Sequence, residues 1–231
     1  MKLLVIDTSY NLEAIREKKL YEAIFSRDLN GFFDKVWSVH PFADITKLSY
    51  TKNNYGKIEI SKLNDNHYFI EGKIGKFFTL KKIKFLNFFF SQIDIFFYLK
   101  KLIKKEKIDF IKATDPFYNS LLAYFLSKTT KVPFLIRVSG NFDKIYQDTN
   151  KPIMKRFFVF RFIEKYFEKY ILNKTHYVIA PNNDNLEYAF DNGLKKDKGT
   201  VVRYGSLIDK SHLVKPNLRK KEFFFEEELN F

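Results

Sequence analysis

Short continuous blocks of apolar residues alternate along this chain with longer stretches in which apolar and charged residues recur at helical spacing. The blocks, together with two stretches of alternating apolar and polar residues, predict strands at residues 2–6, 35–42, 56–61, 67–72, 108–113, 132–138, 176–180 and 200–204. The longer stretches predict helices at residues 11–29, 79–107, 117–130, 153–172 and 183–190. The first of these helices has Asn11 as its expected N-cap.

The order of these elements predicts the fold class. Strand and helix alternate regularly from residue 108 onward, and the strands there are continuous apolar runs, which is typical of strands covered on both faces. We therefore predict an α/β protein with a doubly wound, mostly parallel, Rossmann-like sheet. Ligands of such sheets bind at the carboxyl ends of the strands, where loops and helix N-termini present unpaired backbone N–H groups.

Polar or turn-forming residues follow several of the predicted strands. They are Asp7 to Tyr10, His40 with Pro41, Thr114 to Pro116, Ser139 to Asn141, and Pro181 to Asn183. From them we predict a binding site that contains Ser9, Tyr10, His40, Asp115, Arg137, Ser139, Gly140 and Asn141, with no residue singled out as catalytic. A purely structural role stays open for each of these loops taken singly, because short loops of α/β proteins share this composition.

The stretch VPFLIRVSGNFDKIYQDTN, residues 132–150, begins as a buried strand and is expected to continue as a polar loop. The glycine of this loop, Gly140, is expected to let the backbone pass close to a ligand or to take a positive φ. Two interpretations of Arg137 remain open. Its planar guanidinium suits a phosphate or carboxylate of a ligand, and it equally suits an ion pair with Asp115 or Asp143.

Composition excludes several kinds of chemistry. The 231 residues include no cysteine, so disulfides and thiolate sites are impossible, and the four histidines lack metal-ligand spacing. Phosphate-binding and hydrolase motifs such as G-x-x-x-x-G-K-[ST] and G-x-S-x-G are also missing. The most apolar stretch, residues 85–99, is interrupted by Asn87, Gln92 and Asp94, so we expect a cytoplasmic protein without a membrane span.

The net charge of +14 is only weak evidence for an anionic partner. All but seven of the 41 basic residues are lysine, and they spread along the whole chain. Base readout favours arginine, and nucleic-acid binding favours one concentrated basic face, so we expect no nucleic-acid partner. Residues 73–107 and 153–172 combine lysines with many aromatic residues; packing against the sheet and peripheral contact with a membrane are both open for them.

Residues 108–209 contain Glu168 followed by Lys169, the segment Asp191 to Gly193 directly after a predicted helix, and Gly205 with Asp209 beyond the last predicted strand. In this order they resemble the Glu-Arg pair, the end of the following helix, and the final glycine and aspartate of the N-terminal, acceptor-side domain of the family-four glycosyltransferases of the GT-B fold. The chain departs from the family at three places. Ser139 replaces a histidine, Tyr204 replaces an asparagine, and DTSYNLEAIREKK replaces a glycine-rich loop.

The resemblance implies a function and a domain organisation. The family transfers sugar from a nucleotide-sugar with retention of configuration, usually without a metal or cofactor, so the nucleotide-sugar is expected as a substrate. Residues 1–209 would form the N-terminal domain, and residues 210–231 the linker and the start of a donor domain, which is expected on a separate polypeptide or in a longer reading frame. The expected acceptor is a glycan or a lipid-linked sugar of surface polysaccharide assembly. The alternative is a non-catalytic basic module that binds anionic membrane or nucleic acid, or a degenerate remnant.

Overall fold

The strands of the computed structural model lie close to their predicted positions. The structure describes residues 1–42, 54–154 and 160–203. Within these residues the strands are β1 (Lys2–Ile6), β2 (Lys35–His40), β3 (Glu59–Lys62), β4 (His67–Glu71), β5 (Phe110–Ala113), β6 (Phe134–Arg137), β7 (Tyr177–Ala180) and β8 (Gly199–Val201). Residues 43–53 lie outside the described part, as does Tyr204 at the end of the last predicted strand.

The described strands form one sheet in the order β3-β4-β2-β1-β5-β6-β7-β8, in which only the β3–β4 pair is antiparallel. The α-helices of the described residues are α1 (Leu12–Glu17), α2 (Tyr21–Phe25), α3 (Lys84–Glu106), α4 (Tyr118–Thr130), α5 (Phe142–Thr149), α6 (Arg161–Lys174) and α7 (Asn183–Asp191). The order in which strands are added to the sheet changes direction at β1: β2 and β4 lie on one side of it, and β5 to β8 lie on the other. This confirms the prediction of a doubly wound, Rossmann-like α/β fold.

Side-chain alternation along the strands divides the core between two faces of the sheet. Leu4 and Ile6 of β1 belong to a large cluster with residues of α3, α4, α6 and α7. Leu3 and Val5 point the other way and belong to a smaller cluster with Phe33. Helices α1 and α2 contribute to a third cluster, which contains Phe69 of β4.

The prediction of one helix over residues 11–29 is wrong, because α1 and α2 are separate. Lys19 has a positive φ of 52° and ends the first helix. The physical reason lies in Ile15 and Ile24, which are both buried in the same cluster. Nine residues of continuous helix would place these two side chains on opposite sides of the helix, and the break brings them to one side.

Two further predictions for the chain after β6 need correction. The expected loop after Asn141 is helix α5, capped by the Asn141 side chain, which accepts a hydrogen bond from the Lys144 N–H at 3.2 Å. The helix expected over residues 153–172 begins only at Arg161, and residues 155–159 lie outside the described part. None of the helices in the described part of the chain has the length and hydropathy needed to cross a bilayer.

An ionic network holds α5, α6 and α7 together. Arg161 donates to Glu164 at 2.7 Å and to Asp143 at 2.8 Å, and it is ion-paired with Glu168 at 2.8 Å. The side chains of Glu164 and Glu168 are fully buried. The Tyr188 hydroxyl of α7 donates to Glu168. Glu168, one of the residues that carry the family resemblance, therefore belongs to a buried network that joins helices.

Candidate functional site

Asp7 is the centre of a polar network at the carboxyl edge of the sheet. It follows β1, and its backbone N–H donates to Val39 O of β2 at 2.9 Å. Its carboxylate is ion-paired with Arg27, which follows α2. Arg27 also donates to Ser38 Oγ of β2 at 2.8 Å. Two strands and a helical turn therefore hold this carboxylate in place.

The network continues into the segment that follows β5. Thr114 donates from Oγ1 to Asp7 Oδ1 at 3.2 Å. The fully buried Asn119 of α4 donates to Thr8 Oγ1 at 3.1 Å, to Thr114 Oγ1 at 3.3 Å and to the Asp115 carboxylate. Residues more than 100 positions apart in the chain thus form one continuous set of hydrogen bonds at a single edge of the sheet.

The two carboxylates of this network have opposite pKa shifts. Burial raises the pKa of Asp7, but the charge of Arg27 and hydrogen bonds from Ser9 and Thr114 outweigh it and leave the pKa below its ordinary value. Burial raises the pKa of Asp115 to about 6, although the Phe117 backbone N–H and Asn119 donate hydrogen bonds to it. Asp7 is therefore the ionised member at neutral pH, and Asp115 is the member that titrates nearest to neutral pH.

Lys112 brings a second cation towards Arg27. It lies on β5 opposite Val5 of β1, so its side chain shares a face of the sheet with Asp7. Burial lowers the pKa of Lys112 to about 8, with smaller contributions from the charges of Arg137 and Arg27. In the described part of the chain no carboxylate lies within ion-pair distance of Lys112. A buried lysine whose pKa is lowered in this way is a candidate for binding an anionic ligand group.

Three predicted site residues lie on the β1 and β2 side of this edge. Ser9 is exposed, and its backbone N–H donates to Asp7 Oδ1 at 2.9 Å. Tyr10 is 39% exposed. His40, the last residue of β2, is buried, and its ring contacts Phe42 edge to face with 5.6 Å between centroids. Ser9 thus contacts the network, Tyr10 is accessible at the surface, and His40 is buried in the core.

The remaining predicted residues follow β5 and β6. Asp115 is part of the network described above, and Arg137, the last residue of β6, is half-buried. Ser139 is exposed. Of the two expectations for Gly140, the positive φ is wrong, since the positive-φ glycines of the described part are Gly31, Gly56 and Gly193, and the close approach to a ligand stays a prediction.

Asn141 and Asp143 have structural partners. Asn141 caps α5 and also donates to Asp184 Oδ1 of α7 at 3.3 Å. Asp143 is ion-paired with Arg161 and Lys165 of α6. An ion pair with Arg137 is therefore not needed to neutralise Asp143, because two other cations already contact it.

Arg27, Ser38, Lys112, Thr114 and Asn119 lie in or beside the network but are not among the predicted site residues. Three of them carried a signal. Thr114 stands in one of the polar segments that follow the predicted strands. Lys112 interrupts the apolar strand IDFIKA, and Asn119 interrupts the apolar face of the helix that follows. Arg27 carried none, because nothing local indicates that a turn 20 residues after Asp7 returns to it. Within the described residues, no group of three or more His, Asp and Glu side chains is placed to hold a metal ion.

Comparison with known proteins relates the chain to others through its fold alone. No protein-family model matches it, and no curated protein sequence matches it. Among solved structures, HepE of Anabaena in complex with UDP and glucose superposes with a TM-score of 0.52 at 14% identity, over 89% of this chain and 44% of HepE. A sucrose-phosphate synthase structure from Thermosynechococcus elongatus gives a TM-score of 0.52 at 11% identity, over 97% of both chains.

A third similar structure is the lipopolysaccharide outer core galactosyltransferase WaaB in its apo form, with a TM-score of 0.50 at 12% identity over 90% of this chain and 47% of WaaB. The chain spans less than half the length of HepE and of WaaB. It shares the Rossmann-like α/β fold of the matched parts of these three structures.

Proposed function

We propose that this chain is the acceptor-binding, N-terminal half of a nucleotide-sugar-dependent, retaining glycosyltransferase of the family-four type. The pathway we propose is the assembly of a surface polysaccharide or a related glycan. The fold supports this proposal, because the chain superposes on about half of HepE, which was solved with UDP and glucose, and of a galactosyltransferase of the lipopolysaccharide outer core. The resemblance of residues 108–209 to the family's N-terminal domain supports it independently.

The observation that carries the proposal is the polar network at the carboxyl edge of the sheet. Asp7, Thr114 and Asp115 are half-buried and present carboxylate and hydroxyl groups in one place, and these groups hydrogen-bond sugar hydroxyls. The fully buried Asn119 donates to Thr114 and Asp115 from inside the fold. Parallel α/β sheets bind their ligands at this edge. The buried hydrogen bonds fix these groups in position, as orienting an acceptor hydroxyl for attack requires.

Charge suggests which acceptors this edge suits. Arg27 is neutralised by Asp7, whereas Lys112 adds positive charge close to it. A sugar that carries a phosphate or carboxylate group would offset that charge. The proposed partners are therefore a glycan or lipid-linked sugar acceptor with an anionic group, and a donor domain on a separate polypeptide or further along the same one. The proposed location is the cytoplasm.

Ligand-observed NMR with the full chain tests the acceptor role. The panel consists of neutral hexoses, hexose phosphates, hexuronic acids and UDP-glucose. We expect saturation transfer to at least one anionic sugar, and we expect Tyr10→Ala to weaken its binding roughly fivefold or more. Tyr177→Ala is the matched control, because Tyr177 is 38% exposed at the opposite end of the sheet whereas Tyr10 is 39% exposed.

Two results would overturn the acceptor role. One is that no sugar of the panel binds. The other is that UDP-glucose binds and loses affinity with Tyr10→Ala, since this would place the donor nucleotide on this half of the enzyme.

A further inference from the structure

The outer surface of α3 is apolar over most of its length. The helix buries every fourth residue, namely Asn87, Ser91, Ile95, Leu99 and Ile103. The first two hydrogen-bond the segment between β4 and α3, and the last three belong to the core cluster of the sheet. Its opposite side exposes Phe85 (85%), Leu86, Phe89 (52%), Phe90, Ile93 and Phe97 (60%). The only charged residue between positions 85 and 97 is Asp94, whose carboxylate is ion-paired with Lys76 at 2.5 Å. Thirteen consecutive residues thus present no unpaired charge to solvent.

Neighbouring helices continue this apolar surface. Helix α4 packs beside α3 and exposes Phe125. Helix α6 packs beside α4, and the hydroxyls of Tyr124 and Tyr170 join the two helices at 3.0 Å. Helix α6 buries Glu164 and Glu168 and exposes Phe162 (71%) and Tyr166 (68%) on its outer side. Three adjacent helices therefore form one aromatic layer, which we call the aromatic face.

A groove of about 420 Å³ runs between α3 and α4 within this face. Its walls are almost entirely apolar and include Phe85, Phe89, Phe96, Leu121, Leu122 and Phe125. The two polar side chains in it, Gln92 and Tyr118, are hydrogen-bonded to each other. Such a groove suits a hydrocarbon chain and offers a polar ligand little to bind.

Positive charge borders the aromatic face at both ends of α3. Exposed lysines precede the apolar stretch at 81, 82 and 84 and follow it at 101, 104 and 105. Residues 73–107 contain ten lysines but only two acidic residues, Asp94 and Glu106. A second copy of the chain would bring the same charge and be repelled, whereas an anionic lipid surface complements it.

The groove also lies next to the candidate site. Tyr118 contacts Phe42 edge to face with 5.0 Å between centroids, and Phe42 contacts His40 in the same way at 5.6 Å. The half-buried ring of Tyr118 and the buried rings of Phe42 and His40 therefore join the groove to the carboxyl end of β2. A surface that docks on the aromatic face would come close to the edge where we place the acceptor.

We propose that the aromatic face docks on an anionic lipid bilayer, with Phe85 and Phe89 inserted among the acyl chains and the lysines at both ends of α3 against the headgroups. Aromatic insertion supplies apolar burial, and each lysine adds attraction to the anionic surface. This contact does not depend on sugar transfer. If the proposed function also holds, it would present a lipid-linked acceptor at the polar edge of the sheet.

Vesicle flotation of the full chain tests this proposal. We expect binding to phosphatidylglycerol vesicles, weak binding to phosphatidylcholine vesicles, and a steep loss of binding as salt is raised. The double variant Phe85→Ser/Phe89→Ser should lose binding roughly tenfold or more, because each phenylalanine withdrawn from the acyl region costs apolar burial. Leu29→Ser/Phe32→Ser is the matched control, since these residues are 61% and 58% exposed on the β1–β2 connection.

A second pair of variants tests the contribution of charge. Lys82→Gln/Lys84→Gln should weaken binding to phosphatidylglycerol roughly tenfold, whereas Lys195→Gln/Lys196→Gln, an exposed pair between α7 and β8, should leave it nearly unchanged. Far-ultraviolet circular dichroism of every variant checks that the fold is kept.

Three results would overturn the proposal. They are absence of binding to phosphatidylglycerol vesicles, equal losses in the phenylalanine double variant and its control, and self-association in solution that Phe85→Ser/Phe89→Ser abolishes without any vesicle binding by the parent chain. The last result would make the aromatic face an interface between copies of this chain. None of these measurements uses a sugar, so a failure here is distinct from a failure of the acceptor role.

Discussion

Asp115 and Lys112 are the residues at which the candidate site departs most from ordinary ionisation. Asp115 has a raised pKa of about 6, against 3.8 for an ordinary aspartate, because it is buried. The folded state therefore binds more protons than the unfolded state between these pH values. Consequently, ionisation of Asp115 lowers the free energy of unfolding as pH rises from about 4 to 6.

We predict that Asp115→Asn removes this pH dependence. Between about pH 4 and 6 the wild-type free energy of unfolding should decrease relative to that of the variant, by about 1–3 kcal/mol in total. Urea unfolding at several pH values measures the difference, and carbon-13 NMR of the carboxyl gives the pKa directly. Asp148→Asn, at an exposed position of α5, is the control. A carboxyl that titrates near pH 4 would contradict the assignment.

For Lys112 the free energy of unfolding should depend on pH in the opposite direction from Asp115. Its folded pKa of about 8 lies below the ordinary 10.5, so the charged side chain destabilises the fold at neutral pH, and the free energy of unfolding should rise with pH between about 8 and 10.5. We predict that Lys112→Met raises the free energy of unfolding at pH 7 by about 1–3 kcal/mol and weakens binding of an anionic sugar. Lys128→Met, exposed on α4, should do neither. Unchanged or lower stability of Lys112→Met would show that the lysine is stabilised by contacts in the fold.

At the scale of elements, the ionic network around Arg161 joins α5, α6 and α7. Removing Arg161 leaves the fully buried carboxylates of Glu164 and Glu168 without this cation. We predict that Arg161→Met lowers the free energy of unfolding by about 3–5 kcal/mol. Lys169→Met, exposed on the same helix, should change it by less than about 0.5 kcal/mol. Denaturant unfolding measures the free energy of unfolding of both variants. If Arg161→Met changed it as little as Lys169→Met does, the network would contribute little to stability.

Strands and long helices were accessible to sequence reasoning because their signals are local. The apolar run KLLVI and the fourfold spacing of Ile95, Leu99 and Ile103 predict β1 and α3 without knowledge of any partner. The break between α1 and α2 was not accessible, because it follows from the shared burial of Ile15 and Ile24 in a cluster with Phe69 of β4. Helix α5 had a local signal that was overlooked, an asparagine followed by an aspartate at the second helical position.

For the whole molecule, topology determines which residues meet. The carboxyl edge could be predicted as the place for a site, because β1, β2, β5 and β6 are parallel neighbours. The contacts within it could not, because Arg27 and Thr114 reach Asp7 from two separate parts of the chain, and Ser38 accepts a hydrogen bond from Arg27 from a third. The sequence likewise showed aromatic residues in excess along residues 85–97, but only the structure separates the buried stripe of α3 from its exposed one.

If this chain is one half of a glycosyltransferase, as we propose, the other half should be encoded in the DNA near the codon of Phe231. We predict a second α/β domain there, in the same frame, in a shifted frame or in a neighbouring gene, and sugar transfer from a nucleotide-sugar when the two halves are combined. Transfer should be lost with either half alone, because the reaction needs groups from both. The absence of such a domain, or two halves that together bind sugars but transfer none, would rule out this role.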